Sequence, residues 1–179
     1  MNIKKLIENA EAGDMKAQSS LAYFYIDGDG VPQDYEKAFY WVTKAAAQGC
    51  IYSEYNLGYL HWSGKGTLED YEKAFFWFSL AAEKGHAKAQ NYLGAMYSSG
   101  RGVDENFEEA YIWLSIAAKQ NHPNAQCRLA LMYINGNGVP ESLSEAAHWA
   151  NLAYKQGSEF AAEMMDEYEL WDYIWRIQI

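Results

Sequence analysis

Long apolar runs are missing from these 179 residues, and no stretch of about 18 uncharged apolar residues is present to span a bilayer. Cysteine is almost absent too. Only Cys50 and Cys127 occur, without CxxC or Cys/His metal spacing, which argues against a disulfide scaffold and a structural zinc site. Such sparse cysteine fits a reducing compartment. Positive charge is also short: 14 Lys+Arg face 24 Asp+Glu, a net −10, with most of the excess beyond residue 100. An acidic surface repels phosphate backbones, so nucleic acid is excluded as a partner. The same field favours a basic protein partner, and it also keeps the chain soluble. The start, Met-Asn-Ile-Lys-Lys, resembles the opening of a signal peptide. However, Leu6 and Ile7 give way to Glu8, Asn9, Glu11 and Asp14, so the apolar stretch does not follow. The expectation is a soluble, cytoplasmic protein.

What is plentiful is apolar and aromatic residues, 50% and 16% of the chain, with 7 Trp and 15 Tyr. They are periodic. Gly28, Gly64, Gly100 and Gly136 stand 36 residues apart, and Gly30, Gly66, Gly102 and Gly138 keep the same step. So do Leu21, Leu57, Leu93 and Leu129, then Ala38, Ala74, Ala110 and Ala146. Trp41, Trp77, Trp113 and Trp149 follow, with Ala45, Ala81, Ala117 and Ala153. Six unbroken columns define a repeat protein.

Each copy reads as two helices. In copy one the stripe Ala17, Leu21, Phe24, Tyr25 has helical spacing and runs into Gly28-Asp29-Gly30, where glycine suits left-handed backbone angles at a helix end. The second helix opens near Asp34, Asp70, Asn106 and Ser142, all good N-cap types. It carries Ala38, Trp41 and Ala45 on one face, and closes at Gly49, Gly85, Asn121 and Gly157. The tryptophans are expected to supply most of the apolar area at each junction. Small residues at Ala22, Gly58, Gly94 and Ala130 let backbones approach. The predicted organisation is one domain: a half repeat over 1–16, full repeats over 17–52, 53–88, 89–124 and 125–160, and a closing cap helix over 161–179. The closing segment carries Tyr168, Trp171, Tyr173, Ile174, Trp175 and Ile177. It reads as a cap folded over the last groove, with a dimer contact or a docking patch as alternatives.

Copy one, with Ala17, Leu21, Tyr25, Gly28, Gly30, Val31, Asp34, Lys37, Ala38, Trp41, Lys44, Ala45, Ala46 and Gly49, resembles the SEL-one-like repeat (SLR) family, relatives of the tetratricopeptide repeats. Copy four departs at Ser142, Glu145 and Tyr154. The resemblance implies an all-α, right-handed α/α solenoid of helix-turn-helix units with terminal caps, working as an adaptor or scaffold through protein contacts. A cysteine-rich branch with proposed β-lactam-related activities is not matched, because its paired cysteines are missing.

Chemistry-bearing constellations are poor. The Gly-x-Gly elements follow a helix and lack the third glycine of a dinucleotide fingerprint. Asp27, Asp29 and Asp34 lack the remaining ligands of a calcium loop. His86 and His122 occupy one repeat position just after the second helix, where a C-terminus favours cations. His61 takes the column of Tyr25, Tyr97 and Tyr133 and reads as a core substitution. No catalytic, cofactor-binding or metal site is expected, and the chain is not expected to be an enzyme.

Columns that vary between copies are free for function. On the first helix the row opposite the constant stripe reads Ser19, Tyr23, Ile26; Tyr55, Tyr59, Trp62; Asn91, Ala95, Ser98; Cys127, Leu131, Ile134. By the family resemblance this row floors a concave groove. The candidate partner-binding residues are Tyr23, Tyr55, Tyr59, Trp62, Asn91, Tyr92, Arg128 and Leu131, centred on the aromatic trio of copy two. The expected function is binding of a protein or peptide, with a basic partner favoured and the chain monomeric. The alternatives are an immunity-type inhibitor of a basic toxin, a hydrolase-like enzyme, and a homo-oligomer joined through the C-terminal helix.

Overall fold

A computed structural model describes residues 3–176, with side chains through 174. Met1, Asn2, Ile177 and the side chain of Trp175, which the sequence reading had placed in the terminal elements, lie outside the described residues. The helices are α1 Ile3–Glu11, α2 Met15–Asp27, α3 Tyr35–Ala46, α4 Ile51–Ser63, α5 Tyr71–Glu83, α6 Ala87–Ser99, α7 Phe107–Lys119, α8 Pro123–Asn135, α9 Leu143–Tyr154, α10 Glu159–Glu167 and α11 Trp171–Arg176. There is no strand among the described residues. The chain divides into two compact units, Met1–His86 and Ala87–Ile179.

In the first unit each helix packs on the next, α1 on α2, α2 on α3, α3 on α4 and α4 on α5. In the second, α6 packs on α7, α7 on α8, α8 on α9 and α9 on α10, while α11 folds back onto α9. The second helices start where cap chemistry places them. Asp34, Asp70, Asn106 and Ser142 are the N-caps, each accepting from the backbone N–H three residues on. Gly28, Gly64 and Gly136 close their helices in left-handed geometry.

Two expectations about packing change. Trp41 is buried, but Trp77, Trp113 and Trp149 are only partly so; the sealed position is one residue later, at Val42, Phe78, Leu114 and Ala150. That column has a partner twenty residues earlier, which is smallest where the column residue is large. A Cβ at Gly58 would stand 2.7 Å from the Phe78 ring, and one at Gly94 would stand 2.6 Å from Leu114 Cγ. The corresponding pairs Ala22 with Val42 and Ala130 with Ala150 share their own core clusters. In copies two and three a large side chain faces none and in copy one a medium one faces a small one, while copy four pairs alanine with alanine beside the closing helices.

The closing element also differs from a single cap helix. It breaks after α10 at Glu169, whose φ is +52°, so that Leu170 is buried and α11 turns back. Tyr154 meets Trp171 edge-on at 5.1 Å, and the Trp171 indole N–H donates to Asp166 at 2.6 Å.

The histidines complete the fold. His61 is buried edge-on against Phe39 at 5.4 Å, as a core substitution should be. His122, however, is the N-cap of α8: its Nδ1 accepts from the Ala125 N–H at 3.3 Å. A helix N-terminus disfavours a cation, so the expected C-terminal role is reversed. Burial pushes both histidines below the usual imidazole pKa; Lys73 adds to this for His61, Lys88 and Arg128 for His122. The unfolded chain therefore binds protons below about pH 6.5 that the fold refuses. Stability is full above that value and is lost as pH falls toward 5. Urea midpoints at pH 7.5 and 5.0 measure the loss. His61→Tyr, the residue of the sister copies, and His122→Asn, which keeps an N-cap acceptor, should each flatten it. An unchanged slope in the double variant refutes the assignment.

Candidate functional site

The first-helix row of the first unit lies on α2 and α4. Tyr23 is 53% exposed on α2. On α4 the aromatic trio is partly covered by its own surroundings. Tyr55 stacks on His86 with ring centroids 4.6 Å apart and planes 23° apart, and Phe78 lies 6.0 Å from it. Trp62 meets Tyr71, the first residue of α5, edge-on at 4.9 Å. Lys65 lies 5.7 Å from the Tyr59 ring and 5.1 Å from Tyr35, whose hydroxyl accepts from Nζ at 3.4 Å. Tyr59, Trp62 and Lys65 thus gather at the C-terminal end of α4, bracketed by Tyr35 and Tyr71, which open the two second helices.

The second unit holds the other candidates. Asn91 is only 6% exposed, with Oδ1 buried and unpartnered, so it does not offer an open floor. Cys127, from the same column, is buried as well. The cause is the residue 31 positions later, which caps the following first helix: Cys50 Sγ lies 3.5 Å from Ser19 Oγ, and Ser158 Oγ lies 3.6 Å from Cys127 Sγ. In copies one and four the first place of the predicted row thus meets the side chain at the N-cap position of the next first helix. Leu131 and Ile134 are partly buried in the cluster that Met164, Met165 and Leu170 complete, so the closing helices cover that stretch. Arg128 is exposed and Tyr92 is half-buried.

A polar ladder escaped the sequence reading. Gln18, Glu54, Gln90 and Gln126 recur every 36 residues and are all buried on first helices. Each accepts from the residue thirty positions on, at the end of the second helix of the same copy: Gln48 to Gln18 at 2.8 Å, Gln120 to Gln90 at 2.6 Å, Gln156 to Gln126 at 2.8 Å. In copy two both partners change together, and Lys84 donates to Glu54 at 2.5 Å. Gln18 and Gln126 also donate to the carbonyls of Ala10 and Ala118, which tie each copy to the helix before it. Glu54 has no N–H to donate, and its Oε2 is buried without a hydrogen-bond partner. The only sequence signal was this paired exchange at a separation of thirty.

The second missed column is Tyr40, Phe76 and Ile112, exposed large apolar residues on α3, α5 and α7. The candidates marked by the sequence pattern all lie on first helices, and this column lies on the second ones. Among the described residues no three His, Cys, Asp or Glu side chains converge to hold a metal, and no helix is long and apolar enough to cross a membrane. Both cysteines are free thiols.

The Sel1 repeat family model matches residues 16–50, 51–86, 87–122 and 123–158. No curated protein matches the chain. Among solved structures, a protective antigen of uropathogenic Escherichia coli strains with an SLR fold is 34% identical over 92% of this chain, with a TM-score of 0.87. A Sel1 repeat protein from Oxalobacter formigenes is 33% identical over 92%, with a TM-score of 0.79. This chain covers 35% and 48% of those two proteins, less than half of either. Cysteine-rich protein B of Helicobacter pylori, 23% identical over 74% of this chain and 95% of its own, with a TM-score of 0.58, shares the fold. Sel1 repeats are generally protein-interaction folds of the helical solenoid class. With four matched copies covering most of its length, the chain belongs to the Sel1 repeat family.

Proposed function

We propose that the chain is a non-catalytic adaptor or inhibitor that binds a protein partner along its first-helix surface. The observation that carries this reading is the aromatic group on α2 and α4: Tyr23 is half exposed, and Tyr59 and Trp62 remain partly open beside Lys65. Tyrosine and tryptophan held in place by neighbours are the side chains that anchor interfaces, because little conformational freedom is left to lose on binding. In the second unit, taken by itself, Tyr92 and Arg128 are the open candidates on first helices α6 and α8, while Asn91 is buried and Leu131 partly buried. The net charge of −10 favours a basic partner.

The test is affinity capture from native lysate with wild type and with Tyr23→Ala/Tyr59→Ala/Trp62→Ala. Tyr55 is left intact because its ring packs on His86. Capture of one protein should fall at least roughly tenfold in the triple variant, and also between low and high salt. Equal capture by a triple variant with a native circular dichroism spectrum rejects this surface.

A further inference from the structure

The two second helices of the first unit carry the same outward row and differ at one place. On α3 the row is Glu36, Tyr40, Lys44; on α5 it is Glu72, Phe76, Leu80. Members four apart lie one above another on a helix. Tyr40 and Phe76 are each 54% exposed. Each ring leans edge-on against the tryptophan that follows, Tyr40 on Trp41 at 4.8 Å and Phe76 on Trp77 at 5.0 Å. Both tryptophans pack into one core cluster, so these rings are exposed but held.

On α3 the chain supplies a cation to its own ring: Lys44 Nζ lies 4.9 Å above Tyr40. On α5 that place is taken by Leu80, and no cation lies over Phe76 among the described residues. The lysines nearest in sequence are committed elsewhere. Lys73 is 2.9 Å from Asp70, and Lys84 is on Glu54. Phe76 therefore stands between an exposed carboxylate one turn before it and an aliphatic side chain one turn after it.

We propose that this outward row of α5 docks a basic amphipathic helix of a partner protein. The partner sets a Lys or Arg against Glu72 and the face of Phe76, in the place Lys44 holds on α3, and lays an apolar side chain along Leu80. Charge selects this occupant. A second copy would set Glu72 against Glu72, and the unit that holds α5, with 8 Lys+Arg against 12 Asp+Glu over residues 1–86, repels a nucleic acid or an anionic bilayer. The surface is separate from the first-helix face of the proposed function.

The probe is a fluorescently labelled amphipathic Leu/Lys helix, with a Leu/Glu counterpart, titrated with the full chain and read by anisotropy. Leu80→Lys gives α5 the cation that α3 already has and should weaken binding at least roughly tenfold, as should Phe76→Ser. Leu80→Met and Tyr59→Ala/Trp62→Ala should bind as wild type does, and the Leu/Glu peptide should not bind. If Phe76→Ser loses its native circular dichroism spectrum, Leu80→Lys decides alone. Equal affinities for wild type and Leu80→Lys overturn the proposal, as does absence of binding by wild type. A loss seen only in Tyr59→Ala/Trp62→Ala also overturns it while leaving the first-helix surface standing. Self-association in sedimentation that Phe76→Ser abolishes would assign the row to a second copy and overturn it equally.

Discussion

Lys84→Met is expected to lower the melting temperature by about 10 °C, a loss of about 3 kcal/mol, while Glu54→Gln/Lys84→Gln leaves it within about 2 °C of wild type. Glu54 is 3% exposed at its side chain, and Lys84 is its only charged partner among the described residues. Removing the ammonium strands a carboxylate in the interior, where one oxygen already lacks a hydrogen bond. Lys84 itself is 38% exposed, so some water reaches the pair, which keeps the loss at the lower end for a broken buried ion pair. The double variant installs the amide pair that copies one, three and four use. It also restores an N–H able to reach back to the preceding helix, as Gln18 does to Ala10. Thermal melts of wild type, Glu54→Gln, Lys84→Gln and the double variant form the cycle. A loss in the double variant equal to the sum of the two single losses would show that the pair is not coupled.

Gly66→Ala should cost about 3 kcal/mol or more, against about 1 kcal/mol for Gly30→Ala. The two glycines have nearly the same backbone angle, φ +69° and +73°. The strain of a left-handed alanine is therefore common to both. They differ in surroundings: a Cβ at Gly30 meets nothing within 4 Å, whereas one at Gly66 would lie 2.1 Å from the Tyr35 carbonyl oxygen. Backbone cannot rotate aside as a side chain can, so the loop must move or the start of α3 must. Urea unfolding with an unchanged m-value measures the difference. Comparable losses would mean that the loop yields easily and that conformational strain alone explains this glycine column.

Much of the fold was legible because its signals are local. An N-cap at Asp34 or Asn106 needs only its own side chain and the amide three residues on, so composition at one place locates it. What stayed hidden depends on neighbours. Gln18 and Gln126 look like surface residues because they are polar, yet they bridge two helices in the interior. The size match between Gly58 and Phe78 requires knowing that residues twenty apart touch. On the first helices, Tyr23 is exposed as a helical wheel puts it, whereas Tyr59 is partly buried against the core cluster of the first unit. Cys127 does not fall where the wheel puts it, since a wheel treats a helix in isolation and cannot show that Ser158, the N-cap of the next helix, lies against it; Asn91 is buried as well. Tyr40 and Phe76 lie on second helices beside the constant tryptophans, where an aromatic residue reads as core.

Each rung of the polar ladder has both ends inside one family repeat: 18 and 48 in 16–50, 54 and 84 in 51–86, 90 and 120 in 87–122, 126 and 156 in 123–158. A gene crossover at the junctions near residues 50, 86 or 122 therefore carries a lysine with its glutamate, or a glutamine with its glutamine. Copies can be duplicated, lost or exchanged in whole cassettes without orphaning a buried charge. A crossover in the loop at Gly66 separates Glu54 from Lys84 and leaves the recombinant with a glutamate facing a glutamine. Selection on such recombinants would fix the breakpoints at helix junctions, so copy number can drift while the electrostatics of every surviving copy stay balanced.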